Sequence, residues 1–157
     1  MKLKMVGMGK MGLNLALNMR DHEVEVEGFD VSEEARSKAE AENIKTYASL
    51  EEMVSEDEKD VIWVMLPAGR ITNSVLCELS NLCKEGDIVI DGGNSDHRDS
   101  LKTAEQMEKK GIYFFDIGTS GGVYGARHVA SFMCGGDPEV FKNDLQEMLE
   151  SIATTNG

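Results

Sequence analysis

The chain has 157 residues, 41% of them hydrophobic and 29% charged, with a formal net charge of −13 at pH 7. That length and balance suit one soluble globular domain with a proper core. The acidic surplus repels phosphate backbones and anionic bilayers, so nucleic acid and membrane are not expected partners, and no apolar run approaches the ~20 residues that a membrane span needs.

A short strand is predicted over 3–6, and Gly7-Met8-Gly9-Lys10-Met11-Gly12 follows at once as G-x-G-x-x-G. A helix over 13–20 comes next, then a second strand over 23–29 closed by Asp30. Strand, glycine turn, helix, strand and acid in this order are the context that dinucleotide binding requires. Gly7 permits the tight turn, Gly9 lets the backbone approach a pyrophosphate, and Gly12 lets the helix pack close to the strand. The helix N-terminus presents free N–H groups and a partial positive charge to the phosphates. In so acidic a chain, local features of this kind must hold an anionic cofactor. Asp30 stands where an acid accepts hydrogen bonds from the adenosine ribose hydroxyls. It would repel a 2′-phosphate, so NAD is expected over NADP. The competing reading is a βα turn in a domain that binds something else. A signal peptide is not expected: Lys10, Asn14 and Asn18 interrupt the apolar stretch, and no small-x-small cleavage site follows.

Strand and helix signals then alternate to the end. Ser32 caps a helix over 33–42, residues 44–47 form a short strand, and Ser49 caps a helix over 50–56 with Glu51 and Glu52 in its first turn. The nearly continuous apolar run 60–66 reads as a central parallel strand buried on both faces. Pro67 stops it, and a helix runs over 71–83. A strand over 87–90 ends in Asp91-Gly92-Gly93, and Asn94 or Ser95 opens a helix to about 110. A strand over 112–115, a glycine-rich segment over 118–125 and a further strand over 131–134 follow. Asp137-Pro138 starts a last helix to about 151. The alternation predicts an α/β, Rossmann-like, doubly wound and mostly parallel sheet with helices on both faces. One conflict stands out. Glu23, Glu25 and Glu27 alternate with Val24 and Val26, so either that face is poorly covered near a sheet edge or the strand begins later.

Ligands of open α/β sheets bind beyond the C-terminal ends of the strands. The segments there are 7–12, 30–32, 66–69, 91–95 and 116–122, and four of the five are rich in glycine, proline or small polar residues. Here the chain resembles the N-terminal coenzyme domain of the decarboxylating 6-phosphogluconate dehydrogenases. The matching motifs are Gly-Met-Gly-Lys-Met-Gly at 7–12, Leu-Pro-Ala-Gly at 66–69, Asp-Gly-Gly-Asn-Ser at 91–95, Gly-Thr-Ser-Gly-Gly at 118–122 and Met-Cys-Gly-Gly at 133–136. The resemblance implies that Gly7, Met8, Gly9, Lys10, Met11 and Gly12, with Asp30, Val31 and Ser32, hold the cofactor, and that the loop at Leu66, Pro67 and Ala68 passes over it. It implies that Asn94 touches both nicotinamide and sugar acid. Ser120, Gly121 and Gly122 would bind the substrate carboxylate end, as a serine before two glycines can form an anion-binding nest. The competing reading of these segments is a set of tight turns. NADP-using members often carry Asn-Arg-Ser/Thr where this chain has Asp30-Val31-Ser32, so the chain resembles the NAD-preferring branch.

The family reaction that the resemblance implies is oxidation of the C3 hydroxyl of 6-phosphogluconate by hydride transfer to NAD, then loss of carbon dioxide to give ribulose 5-phosphate. The family's catalytic lysine, His-Asn pair and glutamate lie in a helix beyond this domain, and Lys142 with Asn143 does not match that pattern. No catalytic acid or base is therefore assigned within residues 1–157. The chain is read as one dinucleotide-binding domain of a protein about twice as long, whose all-helical domain is absent here. In the intact protein that domain would cover the side near Phe132, Met133 and the final helix, and would join subunits into a homo-oligomer. One alternative keeps the fold with a 3-hydroxyisobutyrate or tartronate semialdehyde reductase-like substrate, against which Asp91-Gly92-Gly93-Asn94-Ser95 argues. Another is a non-catalytic module that senses NAD.

The remaining candidates read as structural. Cys77, Cys83 and Cys134 show no C-x-x-C spacing and suit reduced thiols used in packing, in a cytoplasmic setting. The ten methionines read as core filler. Asp96-His97-Arg98-Asp99 has metal-ligand residue types but opens a helix, where caps and acids are expected, so no metal is assigned. His22 and His128 stand alone. Arg127 and His128 follow the substrate loop, as an anion contact or an exposed turn.

Overall fold

A computed structural model describes residues 1–67, 69–93, 97–128 and 130–153. Among these residues one sheet holds the strands β1 (Lys2–Val6), β2 (Glu25–Phe29), β3 (Lys45–Tyr47), β4 (Val61–Val64), β5 (Ile88–Asp91), β6 (Tyr113–Ser120) and β7 (Ser131–Gly135). Their spatial order is β3-β2-β1-β4-β5-β6-β7. Neighbours are parallel from β3 through β6, and β7 returns antiparallel to β6. The order reverses between β1 and β4, which opens a crevice beyond their C-terminal ends. This is the Rossmann-like, mostly parallel sheet expected from the alternation of elements.

The helices are α1 (Lys10–Asp21), α2 (Glu33–Ala41), α3 (Leu50–Met53), α4 (Arg70–Leu82), α5 (His97–Lys109), α6 (Gly122–His128), α7 (Pro138–Val140) and α8 (Gln146–Ile152), with a π-helical turn Phe141–Leu145 before α8. Strand periodicity divides the core. Leu3, Met5, Trp63, Ile88, Ile90, Phe115 and Ile117 meet Leu15, Ala16 and Met19 of α1 and Met148, Leu149 and Ile152 of α8. Val6, Ile62, Val64 and Val89 meet Leu50 and Met53 of α3, Leu76 and Leu79 of α4 and Met107 of α5. Burying a large apolar side chain contributes about 1.5–3 kcal/mol, and both faces of the central strands collect it.

The acidic strand resolves in favour of the later start. Glu23 adopts φ 68° in the turn that ends α1, the Val24 N–H donates to the Met19 carbonyl, and β2 begins at Glu25. Glu25 is exposed, but Glu27 is buried and satisfied. It lies 3.1 Å from Lys2 Nζ and accepts the Tyr47 hydroxyl at 2.8 Å. Burial would raise the Glu27 carboxyl, but Tyr47 and Lys2 outweigh it and hold the group below its ordinary value. Burial and the facing Glu27 push the Tyr47 hydroxyl up to about 12.

Three further boundaries differ from the sequence pattern. The helix after Ser49 ends at Met53, because Val54 turns extended and the Ser55 N–H is taken by Asp60 Oδ2 at 2.8 Å. β6 runs to Ser120 because β7 pairs with its second half, from Asp116 to Ser120. Part of the glycine-rich segment is the helix α6, bolted to α1: Asn18 Nδ2 donates to the Ala126 carbonyl at 3.1 Å and to the Ile152 carbonyl at 3.3 Å, and Arg127 pairs with Asp21 at 2.8 Å. Among the described residues, no helix is long and apolar enough to cross a membrane.

Candidate functional site

The glycine turn sits at the topological switch. The Gly7 N–H donates to the Phe29 carbonyl at 2.8 Å, and Gly7 takes φ 95°, which only glycine adopts without strain. α1 starts at Lys10, earlier than the apolar pattern indicates, so Lys10, Met11 and Gly12 form its first turn. A Cβ on Gly12 would overlap the Gly7 carbonyl oxygen, so the helix rests directly on the turn. At Gly9, the N-cap, a Cβ would meet nothing within 4 Å. No side chain caps this end of the helix. Its N–H groups thus face open space that a pyrophosphate can enter.

Asp30 ties this turn to the next loop. Its Oδ2 accepts the Met8 N–H at 2.8 Å, and its Oδ1 accepts the Ser32 N–H at 2.8 Å. A carboxylate oxygen has a second lone pair, so acceptor capacity remains for ribose hydroxyls. Ser32 caps α2 by accepting the Ala35 N–H at 3.2 Å, and Val31 is 84% exposed. Met8 turns its side chain into the core, so it reaches a ligand only by its main chain. Arg36, which the sequence reading passed over, donates from Nη1 to the Asp30 carbonyl at 2.7 Å and the Val31 carbonyl at 3.3 Å. Its spacing, four residues after an N-cap serine, could have marked it as an arginine folded back on its own loop. A hollow of about 350 Å³ lies here, lined by Met8, Gly9, Lys10, Ser32 and Lys38 among others.

A second cavity of about 490 Å³ is lined by Gly9, Lys10, Met11, Gly12, Met65, Leu66, Pro67, Gly92, Gly93 and Thr119. Four of the five motif segments converge on it. The two glycines after β5 have steric reasons: a Cβ on Gly92 would overlap the Trp63 indole nitrogen, and one on Gly93 would come within 2.7 Å of the Leu66 carbonyl oxygen. Asp91 closes the turn by accepting the Gly93 N–H at 3.0 Å. The Thr72 hydroxyl donates to the Pro67 carbonyl at 2.5 Å and fixes the loop before α4. Ala68 and Asn94, both assigned to the cofactor, lie outside the described residues, as do Ser95 and Asp96. So do the side chains of His97, Arg98 and Asp99.

Ser120 ends β6 beside Thr119. Its hydroxyl lies 3.5 Å from the Ser131 carbonyl, and it is exposed together with Gly121 and Gly122. Gly121 and Gly122 have φ 101° and 64°. Serine and two glycines are therefore exposed where β6 ends, directly after Thr119 of the cavity lining.

Several residues have roles other than those read from sequence. Arg127 is a helical residue and not part of a turn, and its Nη1 pairs with Asp21 at 2.8 Å. His22 Nδ1 lies 2.8 Å from the Asn18 carbonyl, and His128 stacks near Tyr124 with ring centroids 4.8 Å apart. Packing describes Cys83, which lies against the second core and whose thiol is pushed up to about 12 by burial and by Asp87. It does not describe Cys77 and Cys134, which are exposed. Met5, Met8, Met19, Met53, Met107 and Met148 fill the core, but Met133 is 83% exposed because it lies on β7 at the edge of the sheet.

A family model for the NAD binding domain of 6-phosphogluconate dehydrogenase matches residues 2–156. The YqeC protein of Bacillus subtilis (strain 168) is 37% identical over 158 residues, covering 100% of this chain and 52% of that protein. The NAD(+)-dependent, decarboxylating 6-phosphogluconate dehydrogenase of the same strain is 36% identical over 157 residues, covering 97% of this chain and 33% of the relative. The chain thus spans about half, or less, of the curated relatives it matches. Among solved structures, Plasmodium falciparum 6-phosphogluconate dehydrogenase, determined in apo form and with NADP+ or 6-phosphogluconate, aligns with TM-score 0.87 and 27% identity over 100% of this chain and 35% of its own. Mycobacterium tuberculosis 3-hydroxyisobutyrate dehydrogenase aligns with TM-score 0.87 and 27% identity over 97% of this chain and 52% of its own.

Proposed function

The chain belongs to the family of NAD-binding domains of 6-phosphogluconate dehydrogenase, and from that premise we propose that it is the coenzyme half of an NAD-preferring enzyme that oxidatively decarboxylates 6-phosphogluconate. The observation that carries this reading is the convergence of the glycine turn, Leu66-Pro67, Gly92-Gly93 and Thr119 on one cavity beside Ser120. NAD, when bound, would supply the hydride acceptor. The open N-terminus of α1 would hold its pyrophosphate, and the walls of Met11, Met65, Leu66 and Pro67 would flank its nicotinamide end. Ser120, Gly121 and Gly122 would bind the substrate carboxylate end, and Asn94 would touch both ligands. The proton-transferring lysine and glutamate would come from a helical domain outside these residues. That domain would also carry the homo-oligomer contacts, in a cytoplasmic protein.

Preference for NAD rests on Asp30. A 2′-phosphate placed at the ribose would meet its carboxylate. Arg36 directs Nη1 at two main-chain carbonyls, and the position after Asp30 holds an exposed valine where NADP-using relatives often have arginine.

Assay of the complete gene product tests the proposal. With 6-phosphogluconate and NAD, NADH and carbon dioxide should appear in equal amounts. Turnover of 3-hydroxyisobutyrate with NAD, or of tartronate semialdehyde with NADH, in its place and with no carbon dioxide, would contradict the assignment. The 3-hydroxyisobutyrate dehydrogenase neighbour makes that comparison the informative one.

A further inference from the structure

Two buried side-chain atoms among the described residues have no hydrogen-bond partner, Trp63 Nε1 and Thr119 Oγ1, and the second belongs to the wall of the second cavity. Trp63 stands behind it, its indole nitrogen covered by Gly92. Thr119 lines it directly. A buried hydroxyl left unpaired costs about 1–3 kcal/mol, so a fold keeps one at a cavity wall at a loss unless something arrives to pair with it. Strand alternation puts Thr119 on the same side of β6 as Ile117, the side on which α1 lies, and its antiparallel partner is Phe132. The cavity between them is walled by glycine, Met11, Met65, Leu66 and Pro67, surfaces suited to the faces of a flat aromatic ring. Among the described residues, Thr119 is, apart from Lys10, the lining residue with a polar side chain. Because the hydroxyl makes no bond within the protein, it can step to another staggered rotamer without breaking one.

We propose that Thr119 is a specificity-determining residue whose hydroxyl hydrogen-bonds the carboxamide of the nicotinamide ring and so sets which way the ring lies in the cavity. An amide offers both N–H donors and a carbonyl acceptor, and a hydroxyl serves either. The inference deepens the cofactor reading given above and rests on NAD entering this cavity.

The test compares Thr119→Val and Thr119→Ser with the unaltered chain by calorimetric titration with NAD and with ADP-ribose, which lacks the nicotinamide. Thr119→Val should weaken NAD binding about 3- to 10-fold, the size of one net hydrogen bond. It should leave ADP-ribose binding unchanged, and Thr119→Ser should retain NAD affinity. The melting temperature of Thr119→Val should stay level or rise, since an unpaired buried hydroxyl has been removed. A purely structural hydroxyl would instead lower the melting temperature and weaken both ligands equally. Equal NAD affinity in Thr119→Val, or equal loss for both ligands, would overturn the inference and leave the cofactor reading standing. Failure of the unaltered chain to bind NAD would overturn both.

Discussion

Gly9 and Gly12 belong to one motif but answer to different demands. A methyl group on Gly12 collides with the Gly7 carbonyl, whereas one on Gly9 points into open space. Gly12→Ala should therefore destabilise the fold by about 1–3 kcal/mol, the range for overpacking against a rigid neighbour, and abolish NAD binding with it. Gly9→Ala should melt within about 0.5 kcal/mol of the unaltered chain, as exposed substitutions do, yet bind NAD more weakly. Thermal melts beside calorimetry separate the two. Glu27 makes a second prediction. Its folded pKa lies below the ordinary 4.5, so its contribution is present above that value and is lost as pH falls through the lower folded one. Glu27→Gln should flatten the fall of the urea midpoint in that acid window. An unchanged slope would mean that Lys2 and Tyr47 do not stabilise the carboxylate. The glycines and Asp30 were legible in the sequence because their partners lie nearby along the chain or at a fixed spacing. Thr119 and Glu27 were not, because what makes them unusual is set by strands and loops brought from elsewhere.

At the level of elements, the sheet and its order of strands and helices were legible from alternating apolar runs and caps, since each signal is local. α6 was not. Glycine-rich sequence reads as loop, and what makes it a helix is its seat on α1, more than a hundred residues earlier in the chain. Asn18 carries that seat: it is 1% exposed and donates to carbonyls of α6 and of the end of α8. Asn18→Leu should leave both acceptors without their donor and cost about 1–3 kcal/mol. Amide exchange should then speed up in α6 before the rest of the fold. Uniform acceleration across the chain would show that Asn18 supports the whole sheet and not this one seat. The length of β6 was hidden for a related reason, since only pairing with β7 gives residues 116–120 their strand partners.

At the scale of the whole molecule, the exposed large apolar residues include three on α6 and β7. Val123, Tyr124 and Met133 are 41%, 70% and 83% exposed. Large exposed apolar residues mark interaction surfaces where they form one patch. The chain alone should associate through them at high concentration, and sedimentation across a wide concentration range should show the shift. A strictly monomeric chain would contradict this. Without a positioned proton acceptor, a contribution typically worth 10²–10⁴-fold, residues 1–157 should also give no NADH from 6-phosphogluconate. Robust turnover would place a base within them.

Function here depends on the crevice between β1 and β4 being a dinucleotide site whose Asp30 selects the cofactor. Calorimetric titration of the chain with NAD and with NADP tests this most directly. NAD should bind more tightly, and the double variant Asp30→Asn, Val31→Arg should narrow or reverse the difference. Equal or tighter binding of NADP to the unaltered chain, or no binding of either, would contradict it.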